Sequence, residues 1–522
     1  MTIVHDMEPS GSHPAPAHAP GDWDGLRLNN VHPSQWRNPE PAGRYHLVVI
    51  GAGTGGLVSA AIAVGLGARV ALIERHFMGG DCLNTGCVPS KGLLRAARAW
   101  HDARTAAERF GGPRVSGDGD FPAAMTRMKR VRAEMSRVDS AARYRELGVD
   151  VFFGEAAFTS HDAVTVRGVD DLTASIRFRR AIIASGGRAA VPPIDGLADA
   201  GFLTNENVFE IDALPPRLLV IGGGPIGCEL AQAFARLGSA VTLLNADRQL
   251  LAREDAEAAR VVEASLVDDG VVIHHRAKVI AARRTGDVRT LAYKVDEQTA
   301  EVSGDAILVA TGRAPNVEGL GLSAAGVEYG PKGIDVDDRF RTTNRRVFAI
   351  GDCASKYQFT HAADAQARLV VANALFFGLG GGKASSLVMP WCTYTSPEVA
   401  HVGITAEEVE VAGDGVVSIT IPFTDVDRAV LDGDDQGFLR VHLARGSDRI
   451  LGATLVADHA GEMISELTAA MVNGIGLGGL GKTIHPYPTQ AEAIRKAADA
   501  YRRGRLTPRV KRLFEYFFRV TA

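Results

Sequence analysis

The chain has 522 residues, which at about 150 residues per domain suits roughly three domains and excludes a single small module. Apolar residues make up 46% and charged residues 23%, so most of the chain can bury a core and wholesale disorder is excluded. With 57 basic and 61 acidic residues the net charge is -4, which excludes a general binder of nucleic acid or other polyanions.

Residues 1–43 are rich in Pro, His, Gly and Ala without apolar periodicity, and they read as a mobile tail. The tail shows no basic start followed by an apolar run, so no secretory signal is read and a cytoplasmic protein is expected. His5, His13, His18 and His32 are too irregularly spaced to form a metal site. Leu47 to Ala68 lacks charge and is about as long as a membrane span, but its six glycines break it into strand, turn and helix.

The segment 44–74 reads as a beta-alpha-beta unit. Gly51, Gly53 and Gly56 form G-x-G-x-x-G directly after the apolar run Leu47 to Ile50, and the next strand ends in Glu74. Glycines at this spacing permit the tight turn, the close approach of pyrophosphate and helix-strand packing, and the carboxylate is placed to accept from a ribose hydroxyl. Gly222, Gly224 and Gly227 repeat the pattern about 170 residues later, after Arg217 to Ile221. Two such units imply two dinucleotide sites. The second strand ends in Asn245 rather than an acid, which removes the repulsion against a 2'-phosphate. Arg248 and Arg253 lie nearby, and the choice between NADH and NADPH stays open. Between the units, residues 95–148 read as helical and 149–185 as short strands. Ala306 to Ala310 and Arg346 to Ile350 read as buried strands, and a separate α+β segment begins near Met389, with strands from Gly437 to Leu443 and from Ile450 to Val456 and a helix from Gly461 to Asn473.

Of the five cysteines, Cys82 and Cys87 lie five residues apart between Gly79 and Lys91, and this spacing in a cysteine-poor chain points to catalysis rather than structure. A regular helix would hold them about 7.5 Å apart, beyond the usual disulfide limit of about 6.8 Å, so bridging needs a distorted turn, which Gly86 permits. Zinc is the rival reading, but no second Cys or His pair at ligand spacing accompanies them, so no metal site is expected. Cys228, Cys353 and Cys392 lie in or beside patterned core segments.

The block Gly79 to Lys91, flanked by the two glycine fingerprints, resembles the flavin-dependent pyridine nucleotide disulfide oxidoreductases, which include dihydrolipoamide dehydrogenase, glutathione reductase and mercuric reductase. The resemblance spans about residues 44–505. It implies an α/β fold with two Rossmann-like domains, one for FAD and one for NAD(P), plus a C-terminal α+β dimerisation domain in a homodimer. The corresponding division is a tail at 1–43, an FAD domain at 44–190 and 314–388, an NAD(P) domain at 191–313, a dimerisation domain at 389–505 and a basic aromatic tail at 506–522. The resemblance further implies that Cys87 is the flavin-proximal sulfur and Cys82 the interchange thiol, with Lys91 near the flavin and Glu229 its ion-pair partner. Gly51, Gly53, Gly56, Glu74, Gly80, Lys91, Gly186, Gly351, Asp352, Thr360 and His361 would face FAD. Gly222, Gly224, Gly227, Asn245, Arg248 and Gly312 would face NAD(P)H, the electron donor.

One departure redirects the expected substrate. Disulfide-reducing members carry a histidine five residues before a glutamate; here Glu492 is preceded at that spacing by Tyr487, and His485 lies two residues earlier. Tyrosine, with a reference pKa of about 10, is a poor base for a thiol near neutral pH. Mercuric reductases resemble the chain in having tyrosine there, and a thiophilic ion held by thiolates needs no general acid. Those enzymes also carry a C-terminal cysteine pair, whereas the last cysteine here is Cys392. The expected activity is therefore mercuric-reductase-like transfer from NAD(P)H to a thiol-reactive acceptor, such as a soft metal ion. The alternatives are a dihydrolipoamide dehydrogenase using His485 or water, and a slow redox-sensing flavoprotein. Pro508 can start a short amphipathic helix that either lies on an anionic membrane surface or docks on the chain's own dimer.

Overall fold

The computed structural model describes residues 21–168, 172–376, 379 and 381–521. Strand β1 (Arg44–Ile50), helix α2 (Thr54–Gly65) and strand β2 (Val70–Glu74) form the first beta-alpha-beta unit, preceded by helix α1 (Trp23–Val31). β1 and β2 are almost continuously buried, as parallel strands covered on both faces must be. Helices α3 (Gly80–Asn84), α4 (Cys87–Phe110), α5 (Phe121–Met135) and α6 (Ala141–Glu146) follow. Strands β3 (Asp150–Phe153), β4 (Glu155–Ser160), β5 (Ala163–Arg167) and β6 (Thr173–Ile183) then complete most of the first sheet. Its order is β3-β2-β1-β6-β5-β4. The edge of β6 is shared: β5 runs antiparallel along Thr173 to Arg177, and a distant strand, Val347–Ala349, runs parallel along Ala181 to Ile183. The apparent membrane stretch is thus a strand, a turn and a helix, and no described helix is long and apolar enough to cross a membrane.

The second unit repeats the arrangement with Arg217–Ile221, Pro225–Leu237 and Ala240–Leu244. Val272–His274 and Ala306–Val309 complete its four-stranded parallel sheet, which is accompanied by a three-stranded antiparallel sheet spanning Lys278–Gly304. Two short strands, Gly187–Ala189 and Arg313–Pro315, pair antiparallel where the chain enters and leaves this unit. The last part is a five-stranded antiparallel sheet from Pro390–Thr393 to Ile450–Ala457, with helices Ala460–Val472 and Glu492–Gly504 packed on it. One apolar cluster joins the three parts: Leu93 and Ala97 of α4, Phe121 and Met125 of α5, Phe234 and Leu237 of the second unit, and Val399 and Val456 of the C-terminal sheet. Burying side chains of this size contributes roughly 1.5–3 kcal/mol each, which fixes α4 against both neighbours.

The expectation of a mobile tail is corrected over residues 21–43 by α1, while residues 1–20 lie outside the described residues. Asp22 caps it, accepting from the Gly25 N–H at 2.8 Å. The fully buried Arg132 guanidinium of α5 donates to Asp24 at 2.9 Å and to Glu210 at 2.7 Å. Trp36 and Asn38 then hydrogen-bond along the free edge of β3, at Val151 and Phe153. Nine residues without strong apolar periodicity give little sequence signal; tertiary ion pairs hold this helix in place. His32 belongs to the same packed segment, its ring lying at a tilt against Phe153, while His5, His13 and His18 lie outside the described residues.

Candidate active site

The first glycine turn is shaped by steric need. Gly51 has φ +98°, and a Cβ there would stand 2.3 Å from the Ala184 carbonyl oxygen; one on Gly56 would stand 1.8 Å from the Gly51 oxygen. Gly53 caps α2 without a side-chain partner, leaving helix N–H groups facing outward. Gly80 packs so closely on this turn that a Cβ would come within 2.6 Å of Gly53. Glu74, buried at the end of β2, accepts from the Ala52 N–H at 2.7 Å and the His76 N–H at 2.8 Å, which holds its carboxylate beside the turn. Gly186 and Gly312 both have positive φ and open space where a Cβ would be. A bare helix N-terminus, an adjacent carboxylate and open glycine surfaces fit a dinucleotide.

The second turn has the same geometry. Gly222 has φ +112° against the Ala310 oxygen, and Gly227 lies against the Gly222 oxygen. Gly224, which caps the helix Pro225–Leu237, has nothing within 4 Å of a notional Cβ. Asn245 is buried, and its amide donates to the Asp247 and Gln249 carbonyls at 3.1 and 2.8 Å, so it braces its own loop. Arg248 and Arg253 are exposed beside it.

The two cysteines sit on separate helices. α3 ends at Asn84, Gly86 takes φ -126° and ψ -117°, and α4 begins at Cys87; this is the break that the five-residue spacing demands. A Cβ on Gly86 would lie 2.9 Å from the Asp81 oxygen. Cys82 is half-buried and Cys87 is exposed. Both are free thiols here, and Cys87 is held down to about 6 by the hydrogen bond from Cys82, with Thr360 and Lys91 assisting against burial. The same interaction, with burial, pushes Cys82 up, so of the two sulfurs Cys87 is the one favoured as a thiolate. Thr360 Oγ1, at the start of the helix Thr360–Leu375, lies 3.5 Å from Cys87 Sγ.

Behind Cys87, one turn along α4, Lys91 Nζ lies 2.8 Å from Glu229 Oε2 and 4.5 Å from the centre of the Tyr394 ring. The buried Glu229 also accepts from the Tyr394 N–H at 2.8 Å, so three segments meet at one carboxylate. Asp352 follows Gly351, whose φ is +72°. Its carboxylate pairs with Arg313 Nε at 3.0 Å, and Arg313 Nη1 reaches Asp81 at 2.7 Å. Arg313 thereby joins the thiol segment to the Gly351 turn. Neither Arg313 nor Tyr394 stood out in the sequence, although Arg313 directly follows Ala310-Thr-Gly312. His361 Nε2 donates to the Pro390 carbonyl at 2.7 Å and its ring stacks on Phe359.

The C-terminal residues form a separate group. Tyr487 is 71% exposed and donates to Asp427 Oδ2 at 3.0 Å. His485 is enclosed and pairs with Glu466 at 3.1 Å. Glu492 is buried and pairs with Arg495. All three partners belong to the C-terminal part, so within one protomer these residues are bonded away from the thiols. Cys228 and Cys353 are fully buried, and Cys392 is half-buried against the C-terminal core.

Two nucleotide cradles converging on a split thiol pair define an oxidoreductase that relays electrons through sulfur. The comparisons agree. The family described as Pyridine nucleotide-disulphide oxidoreductase matches residues 45–367, and its dimerisation domain matches 389–498. A mercuric reductase of Streptomyces lividans is 36% identical over 466 residues, covering 88% of this chain and 96% of that protein. A mitochondrial dihydrolipoyl dehydrogenase of Dictyostelium discoideum is 33% identical, covering 87% and 94%. A solved Cu(II) complex of the HOCl-induced flavoprotein disulfide reductase RclA from Escherichia coli superposes with a TM-score of 0.77 at 28% identity, covering 88% and 100%. The chain belongs to the class I pyridine nucleotide-disulfide oxidoreductases, enzymes that use FAD and NAD(P)H.

Proposed function

We propose that the protein passes electrons from NAD(P)H through a Cys82–Cys87 disulfide to a thiol-reactive acceptor, in the manner of a mercuric reductase, as a cytoplasmic homodimer built on residues 389–505. The first glycine turn, Glu74 and Asp352 would hold FAD, and the second turn would hold the nicotinamide nucleotide. Bound together, these groups supply hydride and electron-pair chemistry to the sulfurs. Two electrons and one proton convert the disulfide into a Cys87 thiolate and a Cys82 thiol. Lys91, fixed by Glu229, places positive charge beside that thiolate, and Thr360 is placed to donate to it. Cys82 then meets the acceptor.

The observation that carries this reading is two free thiols at the break between α3 and α4, with Thr360 Oγ1 3.5 Å from Cys87, together with a tyrosine rather than a base at the exposed position 487. A soft cation displaces the Cys82 proton on binding sulfur, whereas a disulfide substrate needs a group to take that proton up and return it. The dihydrolipoyl dehydrogenase reading draws on one observation of its own, the His485–Glu466 pair, which is a general base of the right chemistry if it faces a partner's thiols.

Steady-state oxidation of NADPH and NADH with Hg(II), lipoamide, glutathione disulfide and a quinone separates the readings. Turnover with Hg(II) that is abolished by Cys82→Ala is expected. Turnover with lipoamide alone would replace the first reading by the second.

A further inference from the structure

The last helix, Pro508–Thr521, lies beyond the dimerisation match, which ends at residue 498. It has an apolar face and a basic one. Val510, Leu513, Phe514, Phe517 and Phe518 follow the i, i+3, i+4, i+7, i+8 rule on one side, Arg512 and Arg519 lie opposite, and Lys511 flanks the apolar face beside Phe518. Every residue from Lys511 to Thr521 is exposed, with Leu513 at 65%, Phe514 at 48%, Phe517 at 56% and Phe518 at 63%. Among the described residues its hydrogen bonds stay within the segment from Thr507 to Thr521, and none of its basic residues makes an ion pair. An aromatic face left open on this scale marks a surface that binds something.

Charge indicates what it binds. The segment from Tyr501 to Ala522 carries seven basic residues and one acid, Glu515, although the whole chain has an acidic excess. A helix of 14 residues is about 21 Å long, too short to cross a bilayer of about 30 Å. Its aromatic face is suited instead to the boundary between headgroups and acyl chains, with the arginines and the lysine facing anionic headgroups.

We propose that Pro508–Thr521 lies in the plane of an anionic membrane surface and tethers the enzyme there. The FAD-loaded full-length protein would be sedimented with vesicles of phosphatidylcholine, with and without about one third phosphatidylglycerol. Binding is expected to the anionic vesicles only and to fall as salt rises. The combined variant Phe514→Ser, Phe517→Ser, Phe518→Ser and, separately, Lys511→Glu with Arg512→Glu should each weaken binding about tenfold or more. NADPH oxidation in solution should be unchanged in both. Equal binding to both vesicle types, or undiminished binding by the phenylalanine variant, overturns the proposal. A dimer of the natural protein that dissociates when the phenylalanines are replaced also overturns it, because the helix then covers its own partner subunit.

Discussion

Lys91 Nζ and Glu229 Oε2 lie 2.8 Å apart, and this contact joins the first turn of the thiol helix to the second nucleotide unit. Glu229 is buried and its other oxygen is occupied by the Tyr394 N–H, so the carboxylate has few ways to relax if its cation is removed.

Lys91→Met should therefore lower both stability and rate. Leaving a buried, uncompensated carboxylate costs on the order of 1–3 kcal/mol, read as a lower thermal midpoint of the FAD-loaded protein. Glu229→Gln keeps the Tyr394 hydrogen bond and should cost less stability than Lys91→Met. Equal losses in the two variants would mean that the ion pair is not what positions Lys91.

Thiolate absorbance of the reduced enzyme tests Cys87 as the favoured thiolate. Cys87 should ionise near 6, so that its thiolate is present above that pH and lost below it. Cys82→Ser retains a donor and should keep the titration low, whereas Cys82→Ala should move it upward by about one unit or more. A midpoint near 8.5 in the natural protein would remove Cys87 as the stabilised thiolate.

Glu254 should make stability fall as pH rises. Trp391 Nε1 donates to its Oε1 at 2.6 Å, its Oε2 is buried without a partner, and burial pushes the carboxyl up to about 7. The folded protein holds this proton more tightly than the unfolded chain, whose ordinary value is 4.5. The contribution is complete below that value and is lost as pH rises through about 7. Glu254→Gln still accepts from the indole and cannot ionise, so it should be more stable than the natural protein at about pH 8, by up to about 3 kcal/mol in urea unfolding. Parallel pH profiles for the two proteins would contradict this.

Tyr487 is exposed and bonded to Asp427, so Tyr487→Phe should change stability by no more than about 0.5 kcal/mol. Tyr487→His should raise disulfide reductase activity by supplying a base near neutral pH. An unchanged rate with lipoamide and glutathione disulfide would show that this position does not govern the acceptor.

The glycine turns were legible because their requirement is steric and local: at Gly51 and Gly56, as at Gly222 and Gly227, a methyl group would collide with backbone. The break between Cys82 and Cys87 was legible for a similar reason, since no regular helix brings residues five apart within bridging distance. Arg313 was not legible. Its partners Asp81 and Asp352 are distant in sequence, and only the fold brings all three together. The same holds for α1, whose order depends on Arg132 and Glu210 far along the chain. Asn245 was legible as a missing acid, but its commitment to the Asp247 and Gln249 carbonyls was not.

The divided edge of β6 has a consequence for how the protein is made. Ala181 to Ile183 wait for Val347–Ala349, about 160 residues further on, while the whole second nucleotide unit is synthesised between them. At roughly 5–20 residues per second that edge stays open for about ten to thirty seconds on the ribosome. Gly351 and Asp352 emerge only after the closing strand, so the turn they form is also completed late. The gap between open edge and finished sheet is the interval in which strand exchange between neighbouring chains is easiest.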